Sequence, residues 1–287
     1  AGRAVSAGAG VPSSRWGALP PWHKPDASDY ALVEVLLRLG LAYSSLGLYA
    51  HAAQLLRKAL LRVEEMMKYG KIQVIGLSVE GIRAELLGTL SGVLCQQGLC
   101  ADGEAMLWQA RQLVKHAGVF HKELEVRLTC DLAEFYLRYA GDLRKADKLL
   151  KQGLKLHHEV FGFEHIDTAK TLNAMGVLSA QRGCFKKAAE YFQQAIDIRS
   201  KILGLGHLNV ADSKHNLAGA LESMERFDEA AQIYEKVLQI KNVELPPNHF
   251  SILDTQNKLS AVYSRLNKPH QSVKVLRQCL TQCLETV

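Results

Sequence analysis

The sequence lacks proline over most of its length. All seven prolines fall before Asp26 or after Leu245. A helix interior excludes proline because the ring removes an N–H group and collides with the preceding turn. The proline-free stretch is rich in Leu, Ala, Lys, Glu, Gln and Arg, which lose little side-chain freedom in a helix. We therefore predict an all-α protein.

Motifs that carry chemistry are missing as well. The chain has no P-loop, no G-x-S-x-G and no H-E-x-x-H motif. Its six cysteines form no C-x-x-C and no Cys/His spacing suited to zinc, so we expect reduced thiols. No window approaches the roughly 18 apolar residues of a membrane span. The sequence predicts a protein that is not an enzyme and has no cofactor, no metal and no membrane span.

Blocks of like charge are also lacking, although the net charge is +6. Lysine and arginine are spread among the acids, which is typical of a solvated surface. We expect nucleic acid to be an improbable partner. An organellar RNA-associated role is the lowest-ranked alternative, because RNA-reading helical repeats use two or three side chains per repeat and no such recurring pair is found.

The N-terminal residues differ in composition from the remainder. Residues 1–25 contain three cations and no acid, and they are rich in Ala, Gly and Ser. We interpret 1–28 as an extended or disordered segment that either follows a cleaved targeting signal or is a plain tail. Mitochondrion is favoured over cytoplasm. Trp16 and Trp22 are costly to leave in water, so we predict that this segment contacts a partner or the folded part of the chain.

An internal repeat covers the C-terminal half. His165, His207 and His249 lie 42 residues apart, and matched positions follow each of them in register. Each unit has a small residue in one helix, then a second small residue and a large apolar residue in the next: Gly176, Ala188 and Phe192; Ala218, Ala230 and Tyr234; Ser260, Ser272 and Leu276. Small residues let two antiparallel helices approach closely, and each pair leaves an apolar edge that the next pair covers.

Residues 39–43 read Leu-Gly-Leu-Ala-Tyr, which matches the first half of the tetratricopeptide signature, and Ala188-x-x-x-Phe192 matches the second half. The chain therefore resembles a tetratricopeptide repeat (TPR) protein. Six units, the third with one extra residue before Gly141, extend over 29–285. The resemblance implies a right-handed α-solenoid of about six TPR helix pairs.

The 42-residue period with histidine in the turn is similar to the kinesin-light-chain type of TPR array. There the turn reads roughly L-G-x-x-H-P, and a helix beginning T-L-N-N-L-A follows. Here residues 171–176 read Thr-Leu-Asn-Ala-Met-Gly, but no proline follows any of the three histidines. We predict that these histidines bond to local backbone, as turn-capping residues do.

The resemblance implies that the first helix of each pair lines a concave groove that binds a peptide or partner. Polar groove positions are predicted at Lys170, Asn173, Gln181, Asp212, His215, Asn216, Asp254, Asn257 and Arg265. Asparagine amides can pair with any peptide bond because they both donate and accept.

Three interpretations of function remain. The leading one is a scaffold, as a subunit or assembly factor of a larger complex, because the last helix has no polar cap. The second is a transient peptide or cargo adaptor of the kinesin-light-chain type. The third is the RNA-associated factor. Partners would bind the concave groove, the N-terminal segment or the uncapped C-terminal helix.

Overall fold

A computed structural model describes residues 27–68, 78–116 and 121–284. Within these ranges the chain forms twelve α-helices and no strands, as predicted. Their bounds are α1 Ala27–Ser45, α2 Tyr49–Lys68, α3 Val79–Gln96, α4 Cys100–His116, α5 Lys122–Phe135, α6 Leu143–Val160, α7 Ile166–Gln181, α8 Phe185–Leu203, α9 Leu208–Ser223, α10 Phe227–Glu244, α11 Phe250–Arg265 and α12 Pro269–Leu284.

The helices form six antiparallel pairs, and we call the first member of each pair its A helix and the second its B helix. The tight turn between the two helices requires a left-handed residue. Gly183 takes this position after α7 with φ of 74°. The equivalent residues Glu225 and Asn267 adopt the same conformation with φ of 61° and 56°. Glutamate in this region is strained, whereas asparagine tolerates it better.

The chain divides into two compact units, Ala1–Ala117 and Gly118–Val287. In the described part of the first unit, α1 to α4 pack around an apolar core that includes Leu56, Leu86 and Leu94, each fully buried. Arg62 of α2 lies 3.1 Å from the buried carboxylate of Asp29 in α1, so this charge is paired where it leaves water.

The second unit contains α5 to α12. One apolar cluster joins α8 to α11 and includes Phe192, Leu217, Tyr234 and Leu259. A Cβ atom added at Gly176 would lie 2.5 Å from the ring of Phe192. The small residue of the A helix therefore makes room for the large residue of the B helix, as the repeat predicts.

The third pair contains one residue more than the 42-residue period. The extra residue is taken up in a π-helical turn, Tyr136–Ala140, between α5 and Gly141. Tyr136 in this turn is buried, and the Lys145 ammonium lies 4.8 Å from its ring centroid. The extra residue is therefore part of a packed helical turn and does not lengthen the loop.

Across the described ranges, no helix is long and apolar enough to span the hydrocarbon core of a bilayer.

Candidate functional site

The three turn histidines begin A helices. His165 Nδ1 accepts a hydrogen bond from the Asp167 amide at 3.2 Å, and His207 and His249 accept equivalent bonds at 3.0 and 3.1 Å. Each satisfies one of the unpaired N–H groups in the first turn of its helix. The prediction that these histidines bond to local backbone is confirmed.

The A helices of the second unit are linked through their predicted groove residues. Lys170 Nζ of α7 lies 3.5 Å from Asp131 Oδ1 of α5. Asn216 Nδ2 of α9 donates to Asn173 Oδ1 of α7 at 3.2 Å. These contacts place α5, α7 and α9 side by side, and we call the face formed by the predicted groove residues of α7, α9 and α11 the A-helix row.

The row continues to α11 through His215. Its Nε2 lies 3.3 Å from Asp254 Oδ2, and its Nδ1 lies 3.2 Å from Thr255 Oγ1. Burial, and next the nearby Lys241 ammonium, lower the pKa of His215. Its imidazole is therefore neutral at pH 7 and accepts or donates within this network without adding charge.

Other predicted groove residues face solvent. Gln181, Asp212, Asn257 and Arg265 are exposed, and the Arg265 guanidinium lies 5.5 Å from the Phe227 ring centroid. The structure thus brings several of the predicted residues into one polar row. Trp16 and Trp22 lie outside the described residues.

The last helix carries an apolar stripe. Val273, Leu276 and Leu280 of α12 are 49%, 43% and 58% exposed, and Leu284 follows them. Of the equivalents 42 residues earlier in α10, Ala231 and Tyr234 are buried and Leu238 is partly buried, whereas Asn242, the equivalent of Leu284, is exposed. In α10, Tyr234 contacts His215 and Glu222 of α9, and it shares a buried cluster with Leu259, Val262 and Tyr263 of α11. We call Val273, Leu276, Leu280 and Leu284 the α12 stripe.

A recurring cation in the B helices was missed from the sequence. Arg199 Nη1 of α8 donates to Asn209 O at 2.8 Å and to Ser213 Oγ at 2.7 Å, both in α9. Lys241 of α10 occupies the equivalent position and is 2% exposed. Its Nζ lies 3.3 Å from Thr255 Oγ1 in α11 and 3.4 Å from Asp212 Oδ1. The 42-residue spacing of Arg199 and Lys241 is the signal that could have revealed them.

The described residues contain no cluster of three or more His, Cys, Asp or Glu side chains arranged to hold a metal ion. Buried Cys130 lies 3.5 Å from His157 Nε2, but burial raises the pKa of its thiol to about 11. This thiol is therefore protonated at pH 7 and is a poor nucleophile.

A family model described as "Tetratricopeptide repeat" matches residues 124–201, 167–242 and 209–285, and a second model with the same description matches 33–62. The chain belongs to the tetratricopeptide repeat family. The matches cover the third to sixth pairs and most of the first pair of this TPR chain.

Solved TPR structures share the fold. BtubC (BKLC) from P. vanneervenii is 19% identical over 91% of this chain and 90% of its own, with a TM-score of 0.66. A Podosopora anserina protein with nearly identical kinesin-light-chain TPR-like repeats is 21% identical over 72% and 97%, with a TM-score of 0.61. NprR in complex with its cognate peptide NprX is 14% identical over 91% and 69%, with a TM-score of 0.62. No curated protein sequence matches this TPR chain.

Proposed function

We propose that this TPR chain is a non-catalytic scaffold that holds another protein as a lasting subunit, with the α12 stripe as the docking surface. The observation that carries this proposal is the exposure of Leu276 and Leu280, because their α10 equivalents, Tyr234 and Leu238, lie in or against a buried cluster. Burying a leucine contributes roughly 1.5–3 kcal/mol. Several such side chains on one stripe therefore supply enough free energy for stable association.

The chemistry around the stripe indicates the kind of partner. Residues 269–284 contain Lys274 and Arg277 and no acidic residue. A partner helix with an apolar face and an acidic rim complements this surface, because like charges placed opposite each other oppose association. A second copy of this chain would place the same cations opposite each other.

Affinity purification of the full chain with mass spectrometry tests the docking surface. Leu276→Asp combined with Leu280→Asp should lose a partner that the unchanged chain retains, because a buried carboxylate at the interface is not compensated. Val243→Asp is a matched control, since Val243 is 82% exposed on α10 outside the stripe. Binding of the purified partner to each variant is then measured directly.

Retention of every partner by the double variant, with its fold intact by circular dichroism, would sink the proposal. Light scattering over a dilution series detects self-association. A dimer that dissociates in the double variant would assign the stripe to a second copy of the chain.

A transient peptide adaptor is the second candidate, and the A-helix row favours it. Asn216 donates to Asn173, so Asn216 Oδ1 still accepts and Asn173 Nδ2 still donates toward a peptide backbone. Asn257 is exposed on the same row. The structural relative NprR has been solved with a bound peptide.

The combined Asn173→Ala, Asn216→Ala and Asn257→Ala variant tests the adaptor candidate. It should release partners that bind the row, whereas Lys187→Ala on the exposed face of α8 should not. If the triple variant keeps every partner with unchanged dissociation rates, the row does not bind them. Fast dissociation distinguishes an adaptor from a subunit.

We propose the mitochondrion as the compartment, with the cytoplasm as the alternative. The support is the acid-free, cation-bearing composition of residues 1–25. Sequencing the N-terminus of the endogenous protein and fractionating cells tests this assignment. An unprocessed N-terminus in the cytosolic fraction would overturn it.

A further inference from the structure

Two junctions between helix pairs are closed by a cation from a B helix. Arg199 and Lys241 each reach the first turns of the next A helix, where they meet a backbone carbonyl and a hydroxyl. The carbonyls are Asn209 O at 2.8 Å and Ser251 O at 3.5 Å, and the hydroxyls belong to Ser213 and Thr255. We call this position of the B helix the junction position.

At the junction between the third and fourth pairs, the residue at this position is His157, 42 residues before Arg199. The next A helix offers the same groups, since Thr171 Oγ1 donates to Asp167 O at 3.2 Å as Ser213 donates to Asn209 O. Among the described contacts, Cys130 Sγ at 3.2 Å from Thr171 Oγ1 takes the place of a cation from α6 at the hydroxyl. His157 Nε2 instead faces Cys130 Sγ at 3.5 Å.

His157 has an unsatisfied polar atom. The residue is 2% exposed, and its Nδ1 is buried without a hydrogen-bond partner. Buried polar atoms are nearly always paired, so an orphaned ring nitrogen indicates a missing neighbour. Burial lowers the pKa of His157, and neutral imidazole keeps one nitrogen as an acceptor.

A small cavity opens at this junction. It has a volume of about 20 Å³ and is lined by residues that include Glu123, Asp167, Thr171 and His157. This volume accommodates about one water-sized group, and an ammonium head is of similar size. Lys170 also lines the cavity, but its ammonium lies 3.5 Å from the Asp131 carboxylate.

We propose that this cavity binds the ammonium head of a lysine side chain from a partner, which takes the place of the missing junction cation. The acceptors are the Asp167 carbonyl and the Thr171 hydroxyl, and the carboxylates of Glu123 and Asp167 supply opposite charge. Arg127 in the lining opposes binding. Lys170, a predicted groove residue, is part of the wall, so a partner on the A-helix row can reach the cavity. The choice of this source rests on the adaptor candidate. A free polyamine offers the same head group.

Nuclear magnetic resonance of the His157 imidazole tests the cavity without any partner. Titration of the full chain with n-butylammonium or methylammonium should shift the His157 ring nitrogen signals in a saturable manner. Tetramethylammonium, which is larger and has no N–H donor, should leave them unchanged. Identical responses to all three cations, or none to any, would mean that the cavity holds water only, and the proposal fails.

Replacing His157 with a cation provides a second test. His157→Arg should supply the head group from the chain itself, as Arg199 does, and so abolish the probe response and raise Tm by roughly 2–4 °C. His158→Arg adds the same charge one residue away and should do neither. If His157→Arg lowers Tm and keeps the probe response, position 157 is not equivalent to Arg199 and Lys241, and the proposal fails.

The reciprocal variant covers the case in which His157→Arg does not fold. Arg199→His should lower Tm and create a second probe site at the junction of α8 and α9. Absence of any new site in a folded Arg199→His variant would count against the proposal.

The source of the cation is decided separately. Spermidine should match the affinity of n-butylammonium if a free polyamine is the ligand. A purified partner with its lysines acetylated should bind more weakly if a side chain is the ligand. Retention of every partner by the triple asparagine variant would refute the adaptor candidate, yet it would leave the probe titration unaffected.

Discussion

Replacing Gly176 with alanine tests whether the close approach of α7 and α8 depends on a missing side chain. The new Cβ would lie 2.5 Å from the Phe192 ring, so the ring or a helix must move. Overpacking of this kind costs roughly 1–3 kcal/mol. Alanine regains about 1 kcal/mol of helix propensity over glycine. We expect a net loss of stability of roughly 0–2 kcal/mol.

Gly92 provides the matched control. It lies inside α3 and is exposed, and an added Cβ would meet no atom within 4 Å. Gly92→Ala should therefore stabilise the chain by up to about 1 kcal/mol through propensity alone. The difference between the two variants removes the propensity contribution and isolates the steric cost at Gly176.

Urea unfolding combined with hydrogen exchange provides the assay. Repeat arrays open locally, so exchange rates of α7 and α8 must be compared with those of α3 and α4. Phe192→Leu in the Gly176→Ala background should cost less than in the unchanged chain, because the shorter side chain relieves the collision. Equal stabilisation by both alanines, with no coupling to Phe192, would refute the steric argument.

Three further predictions follow from the described contacts. Glu225→Gly should stabilise the chain by about 1 kcal/mol in thermal unfolding, because glycine adopts the left-handed conformation without strain; a destabilised variant would show that the Glu225 side chain matters more. His207→Ala should cost about 1 kcal/mol by removing the cap of α9, whereas His207→Ser should retain most of it; equal losses for both would argue against capping. Burial lowers the pKa of His157 and His215, so the unfolded chain binds more protons than the folded chain. Stability should therefore fall as the pH drops below about 6.5, and replacing both histidines with glutamine should flatten urea midpoints measured between pH 7.5 and 5.5; an unchanged slope would contradict this.

Much of the fold could be predicted because its determinants recur in the sequence. A small residue at the position of Gly176 and a large residue at the position of Phe192 recur 42 residues later in each following unit. The turn histidines mark where the A helices begin. These features act through backbone geometry and side-chain volume. Both can be read from the residue types, so the sequence alone predicts them.

The junction position could not be identified in the same way. His157, Arg199 and Lys241 share a spacing but differ in length, charge and donor number, so a pattern of size and polarity does not unite them. The role that Arg199 and Lys241 share depends on which carbonyl and hydroxyl the next helix presents. The pairing of Asn173 with Asn216 is likewise a property of neighbouring helices that a single helix does not encode.

The π-helical turn at Tyr136–Ala140 shows how such an array can tolerate insertion mutations during its evolution. One added residue widens a helical turn locally, and the chain still reaches the left-handed residue Gly141 before α6 begins. Ancestral copies could gain or lose single codons here without breaking the stack, and a search for strict periodicity would underestimate how many repeats descend from one another.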